Sequence, residues 1–321
     1  MGCDIGRFIV KFLCMKATFN NISGVFYAVV SSASFGLIPL FSISLMDTGI
    51  AMPSILFYRF AVAAAIMAIV VLLTGRNFRI ERRYMPSVAW LSVLYAVTAI
   101  LLLASYRDIP SGVATTIHFL YPLAVTLIMS MFFKERATIT TLIAVGVSLA
   151  GVALLTWGNH SVGDYKHGVL LVLVTVATYA IYIVGVMKSR ASRVDSVVLT
   201  FYVLMLGALI FFLYALATSG VDSIHRWSNW RDIVMLALLC TVLSDLTLIL
   251  AIKRIGSTMT SILGSMEPMT AVIVGVLYFD ERFDTTSVIG LLLIVVAVVL
   301  VIVQSRDVNS GGGRGRDSVS S

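Results

Sequence analysis

Two stretches decide the reading: TTIHFLYPLAVTLIMSMFFKER, residues 115–136, and SILGSMEPMTAVIVGVLYFDER, residues 261–282. Set one above the other, they keep a constant offset of 146 residues (122 to 268). Pro122 falls on Pro268, Phe133 on Phe279, and Glu135-Arg136 on Glu281-Arg282. Upstream, Ile109 falls on Ile255 and Ser111 on Ser257. Each stretch is apolar, carries a proline near its middle, ends in a charged tripeptide and leads into another apolar run. One unit is written twice.

Composition sets the solvent in which that unit folds. The chain has 321 residues, 59% of them hydrophobic and only 12% charged, with a mean hydropathy of +1.00. A soluble domain carries about 25% charged residues, so this chain lacks the charge to cover itself in water. It reads as an all-α membrane protein. The net charge of +7 does not point to nucleic acid, because the basic residues punctuate apolar runs and do not gather on one face. Cys3, Cys14 and Cys240 have neither the even count of a disulfide framework nor a metal-ligand spacing. No G-x-x-x-x-G-K-[ST] loop, H-E-x-x-H, C-x-x-C or G-x-S-x-G occurs, so neither ATP hydrolysis nor covalent chemistry is indicated. No cofactor is expected.

A bilayer core about 30 Å thick needs about 20 apolar helical residues. Ten spans meet that length: 22–46, 52–74, 86–106, 110–133, 139–157, 168–187, 196–218, 232–252, 257–279 and 286–303. The breaks carry turn or charge signals such as Asp47-Thr48-Gly49 and Lys253-Arg254. Residues 1–21 form an N-terminal segment in which Arg7, Lys11 and Lys16 interrupt a short apolar run. It reads either as an amphipathic surface segment or, up to Met15, as an extension ahead of the true start. A linker at 158–167 separates the halves, and the glycine- and serine-rich 304–321 reads as a disordered tail. Seventeen lysines and arginines lie on the N-terminal side. Five (Arg107, Lys166, Arg226, Arg231, Arg282) lie opposite, and Arg59 lies inside a span. That imbalance predicts both termini in the cytoplasm. Ten spans in two repeats, 22–157 and 168–303, make five per repeat. An odd number makes the second repeat enter from the opposite face, which is the inverted architecture of many secondary transporters.

The pattern resembles the EamA-type permeases of the drug/metabolite transporter superfamily. The resemblance rests on Ser31-Ser32-Ala33-Ser34-Phe35-Gly36-Leu37-Ile38-Pro39 in span one and Tyr58-Arg59-Phe60 in span two. The Pro122…Glu135 and Glu267-Pro268…Glu281 arrangements add to it. It implies a carrier of the bacterial inner membrane for small metabolites, often amino acids, commonly moving outward, as a monomer or homodimer.

A charge at mid-bilayer costs about 2.5–3.5 kcal/mol on insertion scales, so each polar residue inside a span needs a reason. Glu267 leads. It sits mid-span beside Pro268, on a face of small residues (Thr260, Gly264, Ala271, Gly275) that admits a ligand or another helix. It either binds a cationic substrate group, carries a coupled proton, or is a structural acid hydrogen-bonded within the bundle. His118 and Tyr121 share a face of span four, and at the 146 offset Tyr121 is the counterpart of Glu267. His118 is a candidate for proton coupling or a packing residue with one satisfied nitrogen. Arg59 breaks the symmetry of Phe57-Tyr58-Arg59 against Phe201-Tyr202-Val203. It either holds a substrate carboxylate, snorkels to the headgroups, or pairs with Asp245 or Glu267. Asp245 is another intramembrane acid with the same two readings, substrate binding or a structural role; its partner is open, and Arg59 is one candidate. Tyr95, Tyr179 and Tyr182 either line a cavity or pack. Pro122 and Pro268 are expected to break their helices at the site, and Glu135 and Glu281 to favour the helix starts behind them.

The expected function is secondary transport around Glu267, Tyr121, His118 and Arg59. Efflux of cationic drugs is the alternative, weakened because span one has no acid before Asp47. A lipid-modifying membrane enzyme would need His160, His167 or His225 with Asp164 or Asp222 near one surface. A passive channel would give rates that do not saturate.

Overall fold

The computed structural model describes residues 22–133 and 165–280, with scattered positions from 143 to 154 and from 284 to 296. Among the described residues there are helices and no strands, as lipid requires of a chain that must satisfy its backbone internally. Eight helices are long and apolar enough to cross a membrane: α1 (Ile22–Asp47), α2 (Met52–Leu73), α3 (Met85–Ser105), α4 (Ser111–Phe133), α5 (Tyr165–Lys188), α6 (Ser196–Ala217), α7 (Trp227–Ile255) and α8 (Ser257–Tyr278). They match eight of the ten expected spans to within a few residues. The spans expected at 139–157 and 286–303 lie largely outside the described residues, as do residues 1–21, Glu135, Glu281, the linker around His160 and Asp164, and the tail. The largest shift is in α7, which starts at Trp227 and not at 232. Its first turns, SNWRD, are too polar to register as membrane-spanning, yet Asn229 is buried and its amide donates to Thr48 Oγ1 at 3.2 Å.

Local chemistry explains the ends. Pro53 and Pro86 sit in the first turns of α2 and α3, where a missing N–H costs nothing. Asp195 caps α6, its carboxylate accepting from the Val197 and Val198 amides at 2.9 and 3.4 Å. Between α7 and α8 the chain turns on one residue, Gly256, at φ +84° and ψ 165°.

Three helices break in mid-course. In α1 the break is at Gly36 and Leu37, just before Pro39. In α4 it is at Phe119 and Leu120, directly before Tyr121-Pro122. In α8 it is one 3₁₀ turn, Leu263–Ser265, directly before Met266, Glu267 and Pro268. Proline cannot donate to the carbonyl four residues back. For Pro268 that carbonyl is Gly264's, and Ser32 of α1 supplies the missing donor, Oγ to O at 2.6 Å. A fourth irregularity, a π turn at Leu238–Leu243, widens α7.

The helices pack through their polar and aromatic faces. Between α2 and α6, Phe60 meets Phe211 edge to face at 4.7 Å. Gly207 makes room for it, since a Cβ there would lie 2.6 Å from the Phe60 ring. Tyr58 OH donates to the Asp222 carbonyl in the loop after α6 at 2.8 Å, and Tyr202 OH donates to the Phe78 carbonyl in the loop after α2 at 2.9 Å. Donor and acceptor both move by 144 residues (58 to 202, 78 to 222), so α2 and α6 grip each other reciprocally. At the helix ends, Arg76 pairs with Asp195, His167 Nδ1 lies 2.8 Å from Asp108 Oδ2, and Lys188 Nζ sits 5.0 Å over the Phe133 ring. The last two contacts fix a direction. α5 begins beside the end of α3 and finishes beside the end of α4, so α4 and α5 run the same way. Large apolar side chains such as Leu72, Leu73, Phe132 and Leu277 face outward, whereas Arg59, His118, Asp245 and Glu267 are buried.

The Gly256 conformation is one that other residues adopt only under strain. Gly256→Ala is expected to cost about 1–3 kcal/mol, read as a lowered thermal midpoint of the purified protein in detergent.

Candidate functional site

A narrow cavity of about 30 Å³ lies among α1, α2, α3, α4, α5 and α8. Glu267, His118, Arg59, Tyr95 and Tyr179 give it polar walls, and Ile38, Leu102 and Leu103 give it apolar ones. It extends toward the end of α3, where Tyr106 also lines it.

Glu267 reaches the cavity because α8 breaks just before it. The Gly36 turn of α1 packs against the same backbone, and a Cβ on Gly36 would stand 2.6 Å from the Glu267 carbonyl oxygen. Glu267 is only 4% exposed. Among the described residues its carboxylate has no hydrogen-bond or ion-pair partner. His118 also lines the cavity, with Nδ1 2.7 Å from Thr175 Oγ1 on α5. Its ring lies 5.1 Å from Tyr179 and 5.5 Å from Tyr121. Tyr121 is not in the cavity wall. It packs behind His118, edge-on to Tyr179 at 4.8 Å, with its hydroxyl over Gly264 of α8, where a side chain would overlap it. The apolar break of α4 thus docks on the small-residue face of α8.

Arg59 neither snorkels nor pairs with an acid among the described residues. It is 4% exposed, donating from Nε to Thr241 Oγ1 at 2.7 Å and from Nη2 to the Cys240 carbonyl at 3.3 Å. Both acceptors belong to the π turn of α7, where Thr241 Oγ1 in turn donates to the Leu236 carbonyl at 3.0 Å. Such turns concentrate at functional sites. Nothing in LLCTVL announces it, because those residues form an ordinary α turn equally well. Asp245, for which Arg59 was one candidate, has another partner: Tyr95 OH donates to its Oδ1 at 2.7 Å. Its Oδ2 has no partner among the described residues, nor has the hydroxyl of Tyr182, whose ring stacks on Tyr95 at 5.2 Å. Asp245 therefore touches the cavity only through Tyr95. Thr175, Thr241 and the Thr98–Thr178 pair (2.7 Å) were not distinguishable in sequence from other threonines in apolar helices.

Of the surface residues that a lipid-modifying enzyme would need, His160 and Asp164 lie outside the described residues, and His225 lines a surface cavity beside Asp222. His167 pairs with Asp108, and Asp222 accepts from the Ala51 amide at 2.6 Å. Among the described residues no group of His, Cys, Asp or Glu is placed to hold a metal ion. Cys240 is buried and free.

The sequence profile of the EamA-like transporter family matches residues 22–157 and again residues 166–303. The chain belongs to the EamA-like transporter family. Its relatives are membrane transporters of the drug/metabolite type. An uncharacterized transporter of Archaeoglobus fulgidus is 24% identical over 76% of this chain and 86% of its own length. Protein PecM of Dickeya dadantii is 21% identical over 75% of this chain and 81% of its own. The threonine/homoserine exporter RhtA of Salmonella typhimurium is 27% identical over 60% of this chain and 63% of its own. A crystal structure at 16% identity superposes with a TM-score of 0.65 over 91% of this chain and 99% of that one, a likeness of fold.

In this EamA-like chain the seat of Tyr121 on Gly264 is testable. Gly264→Ala is expected to cost about 1–3 kcal/mol through overpacking, and adding Tyr121→Phe is expected to restore part of the lost thermal stability. A double variant no more stable than Gly264→Ala would contradict the contact.

Proposed function

We propose that this EamA-like protein is a secondary transporter of small amphipathic metabolites, with amino acids the favoured class and export the favoured direction. It works by alternating access around the Glu267 cavity. The observation that carries the reading is a buried acid without a partner among the described residues, facing a narrow cavity in an apolar bundle. Such a group costs free energy at all times, and a ligand cation or a proton removes the cost.

The chemistry of the walls favours a zwitterion. Glu267 faces an ammonium group, with the ring faces of Tyr95, His118 and Tyr179 beside it for cation–π contact. Arg59, held by neutral acceptors only, keeps its charge for a carboxylate. Ile38, Leu102 and Leu103 receive a short side chain. A relative named a threonine/homoserine exporter supports both the class and the direction. Cationic drug efflux is the second reading, favoured by Glu267 but not by Arg59.

The architecture we propose is ten spans in two inverted repeats, 22–157 and 168–303, separated by a 158–167 linker. α4 and α5 run the same way, which agrees with one further crossing in the proposed architecture, and the apolar run 139–157 has the length for it. The reciprocal tyrosine bonds of α2 and α6 and the two family matches support the doubling. The count of basic residues supports both termini lying in the cytoplasm, with the protein in a bacterial inner membrane.

In proteoliposomes, Glu267→Gln is expected to reduce amino-acid exchange at least tenfold and to flatten its pH dependence, whereas Glu267→Asp retains measurable exchange. Exchange and pH profile both unchanged in Glu267→Gln would remove the assignment.

A further inference from the structure

A second cavity, of about 500 Å³, opens at the surface where α3 begins and α5 ends. Its lining includes four cations, Arg83, Lys188, Arg190 and Arg193, and the hydroxyl side chains of Ser189 and Ser192. Among the described residues no carboxylate lines it. Glu81 neutralises Arg83 from outside, Oε2 to Nε at 2.6 Å, and Asp195 is taken by Arg76. Arg190, Arg193 and Lys188 have no ion-pair partner among the described residues, and Lys188 Nζ sits over the Phe133 ring. Among the described residues, no acid balances the positive charge of Lys188, Arg190 and Arg193.

Its depth identifies the occupant. α3 has 21 residues, about 31 Å at 1.5 Å per residue, which matches a hydrocarbon core of about 30 Å. The first residue of α3 and the last of α5 thus stand at headgroup level. Just inward on α3, Trp90 is 57% exposed, in the position of an interfacial anchor, and Met187 of α5 is also exposed. Cations and hydroxyls at the rim, with an apolar wall directly beneath, fit a molecule that is anionic at one end and hydrocarbon at the other. We infer that Arg190, Arg193 and Lys188 form a binding site for the phosphate headgroup of an anionic phospholipid, whose acyl chains lie along α3 and α5. Basic pockets between helix ends bind such headgroups elsewhere. The site is separate from the Glu267 cavity and does not depend on what that cavity carries.

The test is native mass spectrometry of the detergent-purified protein with phosphatidylglycerol or phosphatidylcholine. Wild type is expected to retain phosphatidylglycerol in preference. The double variant Arg190→Gln/Arg193→Gln is expected to bind it about thirtyfold more weakly, at about fivefold per cation. The control Arg226→Gln/Arg231→Gln, on the opposite surface, is expected to bind as wild type. If the double variant does not purify, Arg190→Gln alone is expected to lose about fivefold. Unchanged phosphatidylglycerol binding in the Arg190 and Arg193 variants would overturn the site. Displacement of the lipid by equimolar inorganic phosphate would overturn the lipid assignment in favour of a free anion.

Discussion

Lipid offers no hydrogen bond to a backbone carbonyl, and a proline in mid-helix withholds the N–H that would otherwise satisfy one. This constraint organises the centre of the molecule. Ahead of Pro268 the helix tightens into one 3₁₀ turn, and the freed Gly264 carbonyl takes the hydroxyl of Ser32. That bond draws α1 against α8, where Gly36 lets the two backbones approach. Ahead of Pro122 the corresponding break lets Tyr121 lean onto Gly264. A serine, two glycines and two prolines thus bring three broken helices to one point, and the cavity lies beside it.

The same rule sorts the buried ionisable groups. Arg59 and Asp245 are deep in the bundle, yet each has a neutral partner that defrays desolvation: the π turn for the one, Tyr95 for the other. His118 has Thr175. Glu267 is the exception among them: it lines the cavity with Arg59 and His118 but has no partner among the described residues. A purely structural acid would be expected to collect hydrogen bonds as Asp245 does. Partnership, more than burial, sets Glu267 apart from the other buried ionisable groups.

Much of this was legible in the chain. Twenty-residue apolar runs are forced by bilayer thickness, so the eight spans that match helices among the described residues could be read directly. The penalty on intramembrane charge marked Glu267, His118, Arg59 and Asp245 for the same reason. What stayed hidden was adjacency. Arg59 with Asp245 was one natural pairing of opposite charges, but which helix faces which is decided by packing. That packing puts Arg59 on the carbonyl and hydroxyl of α7 and puts Tyr95 on Asp245. Tyr121 was legible as the counterpart of Glu267 but not as a residue behind the wall, because the offset gives sequence position and not the lean of a side chain at a break. The likeness of Phe57-Tyr58 to Phe201-Tyr202 was visible, and its use was not.

That use has a mechanical consequence. The hook of Tyr58 and the hook of Tyr202 act at opposite surfaces, so the α2–α6 pair is fastened at both of its ends at once. Two rods pinned at both ends cannot spread at either face without releasing a pin. Any rearrangement that exposes the interior first to one side and then to the other leaves this pair as the axle. The displacement then falls on the helices that are already broken, α1, α4 and α8, which need only bend where their ladders are interrupted.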